Sequence, residues 1–160
     1  MESRKAAPKR GRAGVQQERD LALRLWEMGF AVIRGPASGA KAKRILYPDL
    51  VAIRSGSIYI FEVKTRVREE PIYIEKNQVE KLLEFARRSG GKAFIAVKIV
   101  GSSGWKLVPI EMLKPTRGGN YKIDEEDLSK ALTLKDIHAE VLRAKRLDEF
   151  IGDRGSGDKG

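Results

Sequence analysis

Asp49, twelve intervening residues and then Glu62-Val63-Lys64 place two carboxylates and an ammonium at a spacing that one β-hairpin can close. Such a trio suits the hydrolysis of a phosphodiester. That reaction needs an activated water, an in-line approach, and neutralisation of the charge that builds on the phosphorus and the leaving oxygen. One or two Mg²⁺ ions held by carboxylates meet all three needs. Magnesium takes oxygen ligands and keeps several of its waters, so two or three carboxylates and a backbone carbonyl suffice. On this reading Asp49 and Glu62 are metal ligands, the Val63 carbonyl is a further one, and Lys64 orients or stabilises the attacking hydroxide. Glu18 would complete a second metal site or hold a metal-bound water. The bland alternative makes Asp49 the cap of a turn after Tyr47-Pro48, and Glu62 with Lys64 an ordinary ion pair at a strand end. Burial weighs against it, because Ile60, Phe61 and Val63 set Glu62 among apolar neighbours on both faces, where an unpaired carboxylate is costly.

The elements that must position these groups can be read from periodicity. Leu21, Ala22, Leu25 and Met28 follow helical spacing from about Ala13, and Gly29 closes the helix. Glu18, three residues before Leu21, lies one turn up on the buried stripe. Phe30 to Ile33 reads as a short strand, followed by a long loop rich in glycine and basic residues. Asp49–Ile53 and Ile58–Lys64 read as strands joined by the Arg54-Ser55-Gly56-Ser57 turn, hence as antiparallel neighbours. Alternation puts Ile58, Ile60, Glu62 and Lys64 on one face. A polar connector, Thr65 to Glu75, leads to a helix from about Asn77 to Ser89 with the stripe Val79, Leu82, Leu83, Ala86. Gly90-Gly91 ends it. Phe85 and Arg88 lie off that stripe, which leaves a dimer contact, a DNA contact and a solvated aromatic all open; Gln78 is placed to reach toward the site from the start of its helix, with a surface glutamine the favoured reading. Ala93–Val100 is the apolar run of a central strand, and Pro109 marks Trp105–Ile110 as an edge strand. Trp26 and Trp105 read as core or interface fillers, and His138 as structural. A capped helix at Asp124–Leu132 and an amphipathic one spaced Ile137, Val141, Ala144, Leu147, Ile151 complete the chain.

These elements make an α/β fold, a mixed central β-sheet flanked by helices. At 160 residues the chain fits one principal unit. Four segments are expected: a disordered basic arm (1–12), a core domain (13–115), a C-terminal helical extension packing on the core or on a partner subunit (116–151), and a disordered tail (152–160). The absence of cysteine removes thiolate metal sites and thiol nucleophiles, and a single histidine argues against a histidine-based zinc site or triad. Carboxylates must therefore supply any metal site. No apolar run approaches the ~20 residues of a membrane span, and the basic N-terminus has no signal-peptide core, so the expected location is the cytosol, without membrane contact. The net charge of +10 is segregated: residues 116–160 carry 9 Lys and Arg against 10 Asp and Glu, and residues 1–115 carry 23 against 12. A basic surface of this kind attracts polyanions. Lys41, Lys43 and Arg44 in the long loop, with Arg66 and Arg88, are the candidate DNA-binding side chains. A charged thermostable surface is the other reading of the same composition.

Pro48-Asp49 followed by Glu62-Val63-Lys64 resembles the PD-(D/E)xK signature of restriction enzymes, repair nucleases and junction resolvases. Within that superfamily the chain is similar to the archaeal Holliday-junction resolvases. The shared segments are a Gly-x-x-x-Glu-Arg-(Asp/Glu)-Leu opening (Gly14, Glu18, Arg19, Asp20, Leu21), a Gly-Phe-x-Val-x-Arg strand (Gly29 to Arg34), a Ser-Gly loop (Ser38, Gly39) and an Asn-Gln-Val-x-Lys-Leu-x-Glu-Phe-Ala helix (Asn77 to Ala86). The resemblance spans about residues 14–137. It implies a restriction-endonuclease-like core and a homodimer that makes paired, Mg²⁺-dependent nicks in four-way junction DNA during recombination and repair. It also implies 5′-phosphate and 3′-hydroxyl ends and no small-molecule substrate. Glu18, Asp49, Glu62 and Lys64 match the catalytic set, Ser38 a loop serine that assists cleavage, and Arg19 and Arg34 DNA-contacting positions. The loop from Ser38 to Asp49 departs from the family in being longer and more basic. Another nuclease of the superfamily and a non-catalytic junction-binding protein are the alternatives.

Overall fold

The computed structural model describes residues 12–36 and 45–155. The basic arm up to residue 11, Ser38, Lys41, Lys43, Arg44 and the last five residues therefore lie outside the described residues, and Arg12, expected in the arm, opens the first helix. The first helix, α1 (Arg12–Glu27), is followed by a hairpin pair and a third strand: β1 (Ala31–Arg34), β2 (Leu50–Arg54) and β3 (Ser57–Arg66). Then come β4 (Ile72–Ile74), α2 (Lys76–Ser89), β5 (Lys92–Ile99) and β6 (Trp105–Pro109), the last running into a short 3-10 turn. β7 (Lys114–Pro115), β8 (Tyr121–Ile123), α3 (Glu125–Ser129) and α4 (Leu134–Gly155) complete the chain. The main sheet has the order β1-β2-β3-β5-β6, with β3 and β5 parallel and the other neighbours antiparallel. The expected mixed sheet is present, and Pro109 lies on its edge strand.

The alternation of β3 divides the core. Tyr59 and Phe61 face α1 and α4, where they pack with Leu21, Leu25, Phe30, Phe94, Trp105, Ile137 and Val141. Ile60 faces the other way, against Val79 and Leu82 of α2 together with Ile95, Val97 and Val108. Burying each such side chain fully contributes roughly 1.5–3 kcal/mol, so α1, α2 and α4 are all held on the sheet by apolar burial. Glu62 and Lys64 continue the Ile60 row and so lie on the α2 side.

Three expectations change. The connector Thr65–Glu75 is partly strand: β3 runs through Arg66, and β4 pairs with β8, itself paired with β7, in a second three-stranded sheet. Its apolar residues, Ile72, Ile74 and Ile123, are fully buried and extend the α2-side core. Residues 116–123 thus contribute a strand rather than helix, and α4 continues through Gly155, past Ile151. Leu83 is not a core residue, and of the two readings of Trp26 the core one falls: they are 47% and 65% exposed, because no described element covers those faces of α2 and α1. Trp105, by contrast, is buried, and its Nε1 donates to Asp20 Oδ2 at 2.9 Å. No helix among the described residues is long and apolar enough to cross a membrane.

Candidate active site

The site is built on the β2–β3 hairpin. Ser55 (φ 51°) and Gly56 (φ 79°) turn the chain with two left-handed residues, the conformation whose twist matches a two-residue hairpin. That turn fixes the register at Leu50 opposite Phe61 and Val51 opposite Ile60. Extended by one pair, the register brings Asp49 opposite Glu62, and residues opposite one another in an antiparallel pair share a face. The spacing of twelve residues noted in the sequence is the spacing this register requires.

Asp49 is held from both sides. Its carbonyl accepts from Gly35 N at 2.9 Å, and its Oδ2 accepts from Val63 N at 2.8 Å. The approach of β1 is close: a Cβ on Gly35 would lie 2.1 Å from the Pro48 carbonyl oxygen, so only glycine fits there. Asp49 is 3% exposed, a burial that a carboxylate tolerates only with such donors around it. Val63, expected to offer its carbonyl to a metal, gives its N–H to Asp49.

Glu62 and Lys64 stand two residues apart on the α2 side, both half-buried. Between them lies the side chain of Gln78 from the first turn of α2. Lys64 Nζ donates to Gln78 Oε1 at 2.9 Å, and Gln78 Nε2 approaches Glu62 Oε1 at 3.5 Å. The favoured surface reading of Gln78 is thus corrected, and the alternative, a side chain reaching the site from the start of its helix, is the one observed. Its signal is its place as the second residue after the start of the helix that follows the Glu-Val-Lys strand, where a side chain points back over that strand's end.

Glu18 is buried at 6% exposure on the α1 stripe, as its spacing required. Its Oε2 accepts from Arg34 Nη2 at 3.2 Å, and Arg34 is the register partner of Leu50, next to Asp49. Among the described residues no three His, Asp or Glu side chains form a group that could enclose a metal ion by themselves. The pair Asp49 and Glu62 nevertheless has the donor chemistry of a hard cation that fills its remaining positions with water.

The basic candidates separate. Arg19 is exposed on α1, and Arg34 is engaged by Glu18. The Arg66 guanidinium donates to the Thr65 carbonyl at the end of β3. Arg88 lies ten residues after Gln78, roughly 15 Å along α2 at 1.5 Å per residue, and donates to Glu84 at 2.8 Å. Hydrogen bonds from Arg87 and Arg88 bring the half-buried Glu84 carboxyl down to about 2.

A mixed sheet between helices that sets an aspartate, a glutamate and a lysine on one face defines a class, the hydrolytic nucleases. The comparisons with known proteins narrow the class. The family model described as archaeal Holliday junction resolvase (hjc) matches residues 9–146. The chain is 44% identical over 140 residues to the crossover junction endodeoxyribonuclease Hjc of Sulfurisphaera tokodaii, covering 86% of this chain and 95% of that protein. It is 39% identical to the Hjc of Sulfolobus acidocaldarius, with 86% and 96% covered. The structure of Archaeoglobus fulgidus Hjc, a Holliday junction resolvase, superimposes with a TM-score of 0.68 at 34% identity, over 79% of this chain and 96% of that one. The chain belongs to the archaeal Holliday junction resolvase family.

Proposed function

We propose that this protein is an endodeoxyribonuclease that resolves four-way DNA junctions by paired, Mg²⁺-dependent hydrolysis of phosphodiesters in opposing strands. The observation that carries the reading is the register of the hairpin, which puts Asp49 opposite Glu62 with Lys64 two residues on, in a chain of this family. Asp49 and Glu62 would hold one or two Mg²⁺, with the Val63 carbonyl beside them. The metal supplies charge neutralisation and a water of lowered pKa. Lys64 places a positive charge beside the reacting phosphate, and Glu18 orders water at the margin of the site through its place next to Arg34. Ser38 assists from its loop. Arg19, Arg34, Lys41, Lys43, Arg44 and Arg66 contact the DNA backbone; Arg88, held by Glu84 at the far end of α2, serves the subunit contact in addition.

The protein acts as a homodimer, since symmetric resolution needs two equivalent sites. What supports this is an apolar surface between β1, β2 and α2. Ile33 and Tyr47, 61% and 41% exposed, line one hollow there with Phe85, and Ile45, 60% exposed, lines a second that shares Phe85. A continuous apolar patch on one face is the mark of an association surface.

Cleavage of a four-way junction and of linear duplex, with and without Mg²⁺, tests the function. Preferential, symmetric, Mg²⁺-dependent nicking of the junction is expected. Equal rates on both substrates would identify another nuclease of the superfamily, and binding without cutting a junction-binding protein.

A further inference from the structure

α2 starts without a side-chain cap of its own, since Glu75 offers none. Its first free N–H, that of Lys76, donates instead to Asn120 Oδ1 at 3.2 Å, in the turn that joins β7 to β8. The second sheet therefore holds the helix end from which Gln78 reaches Lys64 and Glu62. Val79 and Leu82, each 2% exposed, clamp the same turn and the next onto the main sheet. A primary amide is a neutral side chain that accepts from an ammonium through one atom and donates to a carboxylate through another, so the two partners are held apart and do not share one atom. Asparagine shares that property but is one methylene shorter. An acid at position 78 would repel Glu62, and a base would repel Lys64.

We propose that Gln78 is a positioning residue for the cleavage reaction, orienting Lys64 and Glu62 together, and that Asn120 sets its position from the second sheet. This rests on the reading of the site given above. Lysine is a compact charge on a flexible four-carbon stem with about 2 kcal/mol of rotamer entropy, so a fixed acceptor decides where its ammonium points. Gln78 supplies that acceptor without adding charge beside a site that must receive both a cation and a phosphate. The shorter bond, to Lys64, dominates and fixes which way round the amide lies, because an ammonium can only donate; the amide nitrogen is then turned toward Glu62.

Gln78→Met keeps length and volume while removing both bonds. Single-turnover cleavage of a four-way junction in Mg²⁺ is expected to slow about tenfold, the rate equivalent of one well-placed hydrogen bond. Junction affinity without metal and the unfolding midpoint should stay at their wild-type values. The NMR signal of the Lys64 ammonium, assigned by its loss in Lys64→Met, should shift in Gln78→Met and stay in place in Glu80→Gln, a change on the exposed side of the same turn. Asn120→Ala should slow cleavage in the same direction by a smaller factor. Wild-type cleavage by Gln78→Met would overturn the proposal, as would a loss of rate with the Lys64 signal unmoved. Should Gln78→Met prove too unstable to purify, Gln78→Glu decides: a slower rate and a shifted Mg²⁺ requirement are expected, and wild-type values for both would overturn it. If the wild-type protein showed no Mg²⁺-dependent cutting, the reading of the function would fall, whereas the Lys64 signal would still report whether Gln78 orients the lysine.

Discussion

A carboxylate at 3% exposure survives burial only because donors surround it, and Asp49 has a backbone N–H from Val63 at 2.8 Å. Two substitutions there separate charge from architecture. Asp49→Asn keeps an oxygen that can accept from Val63 while removing the charge; cleavage should fall at least ~100-fold, the scale on which loss of a charge-stabilising group lowers a rate. Junction affinity measured without metal should hold or rise, since repulsion of phosphate falls. Asp49→Ala also takes away the acceptor of a buried N–H, a further cost of about 1–3 kcal/mol, so it should lower the unfolding midpoint where Asp49→Asn does not. Retained nicking by Asp49→Asn would remove Asp49 from the chemistry. Gly35 makes the complementary case without charge. Its missing Cβ leaves room for the Pro48 carbonyl, 2.1 Å from where that atom would sit, and Pro48 carries the chain into Asp49. Gly35→Ala must push β1 away from β2, at roughly 1–3 kcal/mol for overpacking. It should cost stability and activity together, read by denaturant titration and junction cleavage.

Elements differ in how plainly their residues announce them. β2, β3 and β5 carry enough apolar residues at strand spacing to be read directly, and the hairpin register then follows from Ser55-Gly56, which is why the pairing of Asp49 with Glu62 was legible. The second sheet was not, because β4 and β8 are three residues each and β7 two, too short for a period of two to stand out. With it went the reason for Gln78, whose helix end is held from that sheet. Periodicity also fails to say how far a stripe is covered. Ile137 and Val141 of α4 are buried, yet Leu147 and Ile151 on the same stripe are 59% and 61% exposed. A polar link adds to the apolar anchor of the covered part of α4: Glu140 takes a hydrogen bond from Tyr59 on β3 and pairs with Lys92, which lies beside Tyr59 in the sheet register. Burial first, then the charge and hydrogen bond of Glu140, push the Tyr59 hydroxyl from 10.0 up to about 12. The folded state therefore holds this proton more tightly than the unfolded chain. The contribution is intact below pH 10 and is lost as the pH rises toward 12. Stability should decline across that interval, and Tyr59→Phe should flatten the decline; an equal slope in both proteins, by denaturant titration, would detach α4 from this network.

At the scale of the molecule, charge and apolar surface make separate demands. The excess of basic over acidic residues lies wholly in residues 1–115, so junction binding should weaken steeply with salt. Each phosphate neutralised adds about 0.9 to the slope of log K against log salt, so a handful of contacts gives a slope on the order of −5. The apolar face makes the other demand, and salt hardly touches it. Ile33 is the residue to change, because at 61% exposure it contributes little to the fold of one subunit while standing in the middle of the patch with Val51, Tyr47 and Phe85. A glutamate there places a charge that would have to be desolvated in any contact between copies, a cost of several kcal/mol unless it finds a partner. Ile33→Glu should therefore sediment as a single chain at concentrations where the wild type is a dimer, with an unchanged unfolding midpoint per subunit. Its two cuts should also come apart. On a cruciform plasmid the wild type should give linear product within one encounter, whereas Ile33→Glu should accumulate singly nicked circles, because each site then acts on its own. A wild-type chain that sediments as a monomer would overturn the dimer, and an Ile33→Glu protein that still delivers paired cuts would move the subunit contact to another face.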